Sequence, residues 1–130
     1  MNIVIVGLGN IGSYFYNYLR KNKKIIHNKT NTAPNILYVS ARSFAKKRNF
    51  AIPKKMWLKN YLSATKMKNV DIIIELIGGS EGPAKKLIFE ALKNKKHVVT
   101  ANKALVAKYG DQLSKIAEKN KVNFEFEAAV

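Results

Sequence analysis

The stretch Ile3-Val4-Ile5-Val6-Gly7-Leu8-Gly9-Asn10-Ile11-Gly12 decides how this chain folds. Four apolar residues in a row, all of them β-branched, read as a buried strand. They run directly into G-x-G-x-x-G, the pattern that opens a helix over a phosphate. Gly7 permits the tight turn from strand to helix. Gly9 carries no side chain, so a pyrophosphate can approach its backbone. Gly12 lets the helix pack closely on the strand. The free N–H groups at the helix start, from Asn10 and Ile11 onward, then face the anion together with the positive end of the helix dipole. Ile11, Phe15, Tyr18 and Leu19 are spaced for one helical face, which predicts a helix to about Lys21. The alternative is a glycine-rich turn that binds nothing; the flanking strand and helix favour the phosphate reading.

Apolar runs and helical patterns alternate along the rest of the chain. His27 to Asn35 is polar, contains Pro34 and reads as a loop. Ile36 to Ser40 is a second strand, followed by a basic stretch from Arg42 to Arg48. Lys54 to Ala64 carries Met56, Trp57, Tyr61 and Leu62 and predicts a short helix. Val70 to Ile77 is a strand buried on both sides, as parallel strands are, and Gly78-Gly79 ends it. Pro83 suits a first helical turn, with Ala84, Leu87, Ile88, Ala91 and Leu92 as the inward stripe. His97 to Thr100 is a fourth strand. Asp111 is the expected cap of a last helix burying Leu113, Ile116 and Ala117, and Val122 to Phe126 alternates as a final strand. Strands separated by helices imply βαβ units. The expected fold is α/β: a Rossmann-type, doubly wound, mainly parallel sheet with helices on both faces, in one domain over residues 1–130.

Composition bounds the partners. The 130 residues hold 24 Lys and Arg against 8 Asp and Glu, a formal net charge of +16. Such a charge suits nucleic acid, but the lysines are scattered and no nucleic-acid motif accompanies them. A solvated basic surface is the preferred reading, and its field attracts an anionic dinucleotide. With no cysteine, disulfide and thiolate chemistry are excluded. No apolar run reaches membrane-spanning length, and the first strand starts at residue 2. The expectation is a cytoplasmic protein with a small-molecule substrate and neither nucleic acid nor membrane as partner. His27 and His97 lack the companions of a transition-metal site.

Two later segments carry a more specific signal: Glu75-Leu76-Ile77-Gly78-Gly79, and Val98-Val99-Thr100-Ala101-Asn102-Lys103-Ala104-Leu105. With Phe126-Glu127-Ala128-Ala129-Val130, they make nearly the whole chain resemble the N-terminal, NAD(P)-binding part of homoserine dehydrogenase. The resemblance implies an oxidoreductase that interconverts L-homoserine and L-aspartate 4-semialdehyde by hydride transfer, in threonine and methionine biosynthesis, possible as a homo-oligomer. In that family a substrate-binding and dimerising domain follows, with a catalytic Asp and a second Lys that have no counterpart here. The 130 residues are therefore expected to supply the cofactor half and to be inactive alone. Two rival readings are a non-catalytic dinucleotide-sensing module and another amino-acid dehydrogenase, since fold alone does not fix substrate.

The site residues follow. Gly78 and Gly79 lie past the carboxyl end of a parallel strand, where open sheets bind ligands; a bare loop there can touch the cofactor's ribose, or be a plain turn. Glu75 lies inside an apolar strand, so a buried structural carboxylate is an alternative to a role in the site, and it is not counted among the catalytic residues. Thr100, Asn102 and Lys103 follow the fourth strand at the same edge, and Asn102 can hydrogen-bond the ribose or carboxamide of the nicotinamide half. Lys103 resembles the family's active-site lysine; a cation there can polarise the carbonyl that accepts hydride. Arg42 stands where an NAD enzyme usually has an acid for the ribose 2′-hydroxyl. With Lys46, Lys47 or Arg48 it can pair with a 2′-phosphate, which favours NADP slightly over NAD. Glu127 and Val130 resemble the start of the family's monovalent-cation loop.

Overall fold

Every residue of the run Ile3 to Val6 is buried, so the first strand must lie in the interior of a sheet covered on both faces. The structure, a computed structural model, describes residues 1–42 and 51–126. It consists of β1 (Asn2–Val6), α1 (Asn10–Lys21), α2 (Lys23–Thr30), β2 (Asn35–Ser40), β3 (Ile72–Glu75), α3 (Pro83–Lys93), β4 (His97–Thr100), α4 (Lys103–Lys119) and β5 (Phe124–Phe126). Two 3-10 turns, Lys54–Met56 and Tyr61–Lys66, stand between β2 and β3. The five strands form one sheet in the order β2-β1-β3-β4-β5, every pair parallel. The doubly wound α/β expectation holds.

Alternation along the strands makes two cores. Val4, Val6, Ile73 and Val98 face α3 and α4, meeting Leu87, Ile88, Leu92, Leu105 and Leu113. Ile3, Ile5, Val39 and Ile74 face the other way, against Tyr16 and Leu19 of α1, with Met56 and Trp57 packed beside them. Removing so much apolar surface from water stabilises both layers, at roughly 25 cal/mol per Å².

Four elements differ from the sequence expectation. The buried face of α1 is Gly12, Tyr16 and Leu19, while Ile11 is 57% and Tyr18 46% exposed. The need to seat Gly12 on the β1 turn sets the helix rotation, one position on from the most apolar face. His27 to Thr30 belong to α2, not to a loop. That helix buries no residue, so it left no periodic signal; it ends at Asn31, which is left-handed at φ 56°. Lys54 to Ala64 forms the two 3-10 turns around a bridge from Trp57 to Val39 rather than one helix. Finally, α4 starts at Lys103, well before Asp111, because Asn102 is its cap: Asn102 Oδ1 accepts from the Leu105 N–H at 3.1 Å. The third and fifth strands are also shorter than the apolar runs that carry them.

Candidate dinucleotide-binding site

All five strands are parallel, so their carboxyl ends share one edge. The chain reverses its winding between β1 and β3, and ligands of open α/β sheets settle at such a switch point. Here it opens into a cleft of about 690 Å³ whose walls include Gly7, Gly9, Ser40, Arg42, Lys59 and Tyr61. Backbone bonds fix its floor: the Gly7 N–H donates to Ser40 O at 2.8 Å, and the Leu76 N–H to Val6 O at 2.8 Å.

The fingerprint glycines divide by what a side chain would meet. At Gly7, with φ 105°, a Cβ would lie 2.6 Å from the Leu76 carbonyl carbon. At Gly12 it would lie 1.9 Å from Gly7 O. Both are therefore demanded by the fold. A Cβ on Gly9 would meet nothing within 4 Å among the described residues, so none of them requires that glycine. The space belongs to whatever approaches the backbone. Gly9 is also the N-cap of α1 and offers no side-chain bond, and the first turn holds no acid. The leading N–H groups of Asn10, Ile11 and Gly12 are thus left for an outside acceptor. These residues fit a pyrophosphate.

The second group lies past β3 and β4. Gly78 and Gly79 adopt φ 91° and 82°, which only glycine takes at little cost, and the space beside Gly78 is open. Glu75 is fully buried. Its Oε2 accepts from the Ile77 N–H at 2.7 Å and the Gly78 N–H at 3.0 Å; its Oε1 accepts from Thr100 Oγ1 at 2.5 Å. Thr100 Oγ1 in turn accepts from the Asn102 N–H at 3.0 Å, and Asn102 Nδ2 donates to Gly79 O at 2.6 Å. Thr100 and Asn102 are both buried, and their side chains hold this framework together. Lys103 is exposed at the first position of α4. A cation there opposes the helix dipole, a local conflict of the kind functional sites tolerate.

Arg42 is exposed on the cleft wall. Lys59 and Tyr61 were not foreseen. The Trp57–Val39 bridge and a 2.9 Å bond from the Leu58 N–H to Val39 O bring them beside the end of β2. That register depends on long-range pairing, which leaves no local pattern. Lys46, Lys47, Arg48, Glu127 and Val130 lie outside the described residues. Among the described residues no helix is long and apolar enough to cross a membrane.

A parallel sheet with an uncapped glycine turn at its switch point defines a dinucleotide-binding domain of the Rossmann type. The family model described as "Homoserine dehydrogenase, NAD binding domain" matches residues 7–127, and the chain belongs to this family. It is 37% identical over 130 residues to homoserine dehydrogenase from Neisseria gonorrhoeae, covering all of this chain and 29% of that protein. Against the Bacillus subtilis homoserine dehydrogenase identity is 33%, with 100% and 30% covered. The crystal structure of S. aureus homoserine dehydrogenase at pH 7.5 superposes with a TM-score of 0.90 at 35% identity, over 100% of this chain and 33% of that one. The chain thus spans about 30% of the length of the curated relatives it matches.

Proposed function

We propose that this chain holds NADP(H) for the interconversion of homoserine and aspartate semialdehyde. The observation that carries the reading is the empty space over Gly9 in front of an uncapped helix. Asn10, Ile11 and Gly12 would hold the pyrophosphate. Arg42 and Lys59 line one cleft wall, and a guanidinium with an ammonium suits a ribose 2′-phosphate through charge-assisted bonds. The Gly78-Gly79 loop, framed by Thr100 and Asn102, takes the nicotinamide ribose. The cofactor supplies the hydride chemistry, and the protein supplies orientation and charge. Lys103, unpaired among the described residues, carries its charge to the edge where a substrate carbonyl would be polarised. Glu127 and Val130 are proposed to begin a monovalent-cation loop.

Fluorescence titration with NADPH and NADH tests the cofactor assignment. NADPH is expected to bind at least as well as NADH. Arg42→Ala should weaken NADPH selectively, by about 1.5–3 kcal/mol for a bond to a charged group. Equal losses for both cofactors, or a strong NADH preference in the parent, contradict the 2′-phosphate assignment.

A further inference from the structure

Glu75 is a fully buried carboxyl, and among the described residues no ion pair includes it. A buried acid of this kind is costly and calls for a role. Its bonds supply one. Each oxygen acts only as an acceptor: one takes two N–H groups of the segment leaving β3, the other takes the hydroxyl at the end of β4. Thr100 Oγ1 already accepts from the Asn102 N–H, so its single hydrogen is free to point at Glu75. From there the chain of bonds continues through Asn102 Nδ2 to Gly79 O. The network is a closed ring. It leaves the β3 loop at Gly78, crosses to β4, and returns to the same loop at Gly79.

We infer that Glu75 is a positioning residue that sets the Gly78-Gly79 loop at the distance from β4 at which the nicotinamide half of the cofactor binds. The inference rests on the dinucleotide reading above. The loop needs such a device. Both glycines sit in left-handed backbone and, among the described residues, nothing lies within 4 Å of a Cβ at Gly78, so packing against those residues does not define the loop's position there. Glutamine cannot replace the acid. Its amide oxygen can keep the two N–H groups, but its NH₂ then faces Thr100, whose hydroxyl hydrogen loses its acceptor. On the dinucleotide reading the adenosine end would lie by the ends of β1 and β2, where Gly9 and Arg42 line the cleft, away from this ring.

The test compares NADPH with 2′,5′-ADP, which carries the adenosine half alone, in Glu75→Gln. NADPH affinity should fall about tenfold, the effect of one lost buried hydrogen bond. Affinity for 2′,5′-ADP should stay within about twofold. Thr100→Val, similar in shape but without the hydroxyl, should show the same split and carries the test if the glutamine variant does not fold. A lower melting temperature with an unchanged NADPH to 2′,5′-ADP ratio makes Glu75 a stability residue and overturns the inference. A parent protein that binds neither probe overturns the dinucleotide reading and this inference with it.

Discussion

A methyl group on Gly12 would stand 1.9 Å from the Gly7 carbonyl oxygen, closer than any non-bonded pair of heavy atoms tolerates, and the obstacle is backbone. Gly12→Ala should therefore destabilise the protein by about 1–3 kcal/mol, the usual cost of overpacking, read as a lower urea midpoint. An unchanged midpoint would show that α1 does not seat on the β1 turn as described. The fingerprint was legible at this scale because each glycine has its own steric reason. Arg42 was legible from its place after β2. Lys59 was not, since nothing in its neighbours announces that Trp57 pairs with Val39. From sequence Asn102 reads as able to hydrogen-bond the ribose or carboxamide of the nicotinamide half; the structure adds that its side-chain oxygen caps α4 and its side-chain nitrogen donates to Gly79 O. Side-chain commitments of this kind follow from the helix start, and the sequence reading had placed that start near Asp111.

Between elements, a surface cluster ties the β3–α3 loop to α4. Tyr109 of α4 donates to both oxygens of Glu81 and accepts from Lys85 Nζ at 3.1 Å. The Lys108 ammonium lies 3.5 Å from Glu81. The Tyr109 hydrogen bond, aided by the Lys108 and Lys85 charges against some desolvation, holds the Glu81 carboxyl below its ordinary 4.5. A depressed acid contributes stability above its unfolded value and loses it as pH falls through its lower folded value. Tyr109→Phe should thus bring the Glu81 carboxyl back up toward 4.5, followed by carbon NMR across an acid titration. A midpoint unmoved by the substitution would rule out the tyrosine as the main cause. The strands and α3 were legible at this scale because burial stamps a period on them. The exposed α2 buries nothing and left no stamp, and α4 lost its first turns to a misplaced cap.

For the molecule as a whole, residues at the ends of β1, β2 and β3 line the cleft, while the chain spans about 30% of its curated relatives' length. Orientation by an enclosing site accounts for roughly 7–11 kcal/mol of a catalysed barrier. The purified 130 residues are expected to turn over little or no homoserine with NADP in a spectrophotometric assay. Robust turnover abolished by Lys103→Ala would show a complete active site. The central claim, though, is that the space over Gly9 is kept for a dinucleotide. Its most direct test is one titration of NADPH into the parent and into Gly9→Val, with the melting temperature of each recorded. The account predicts binding by the parent, at least about a tenfold loss in the variant, and a similar melting temperature, since a Cβ at Gly9 meets nothing within 4 Å among the described residues. Equal NADPH affinity in two folded proteins would contradict it.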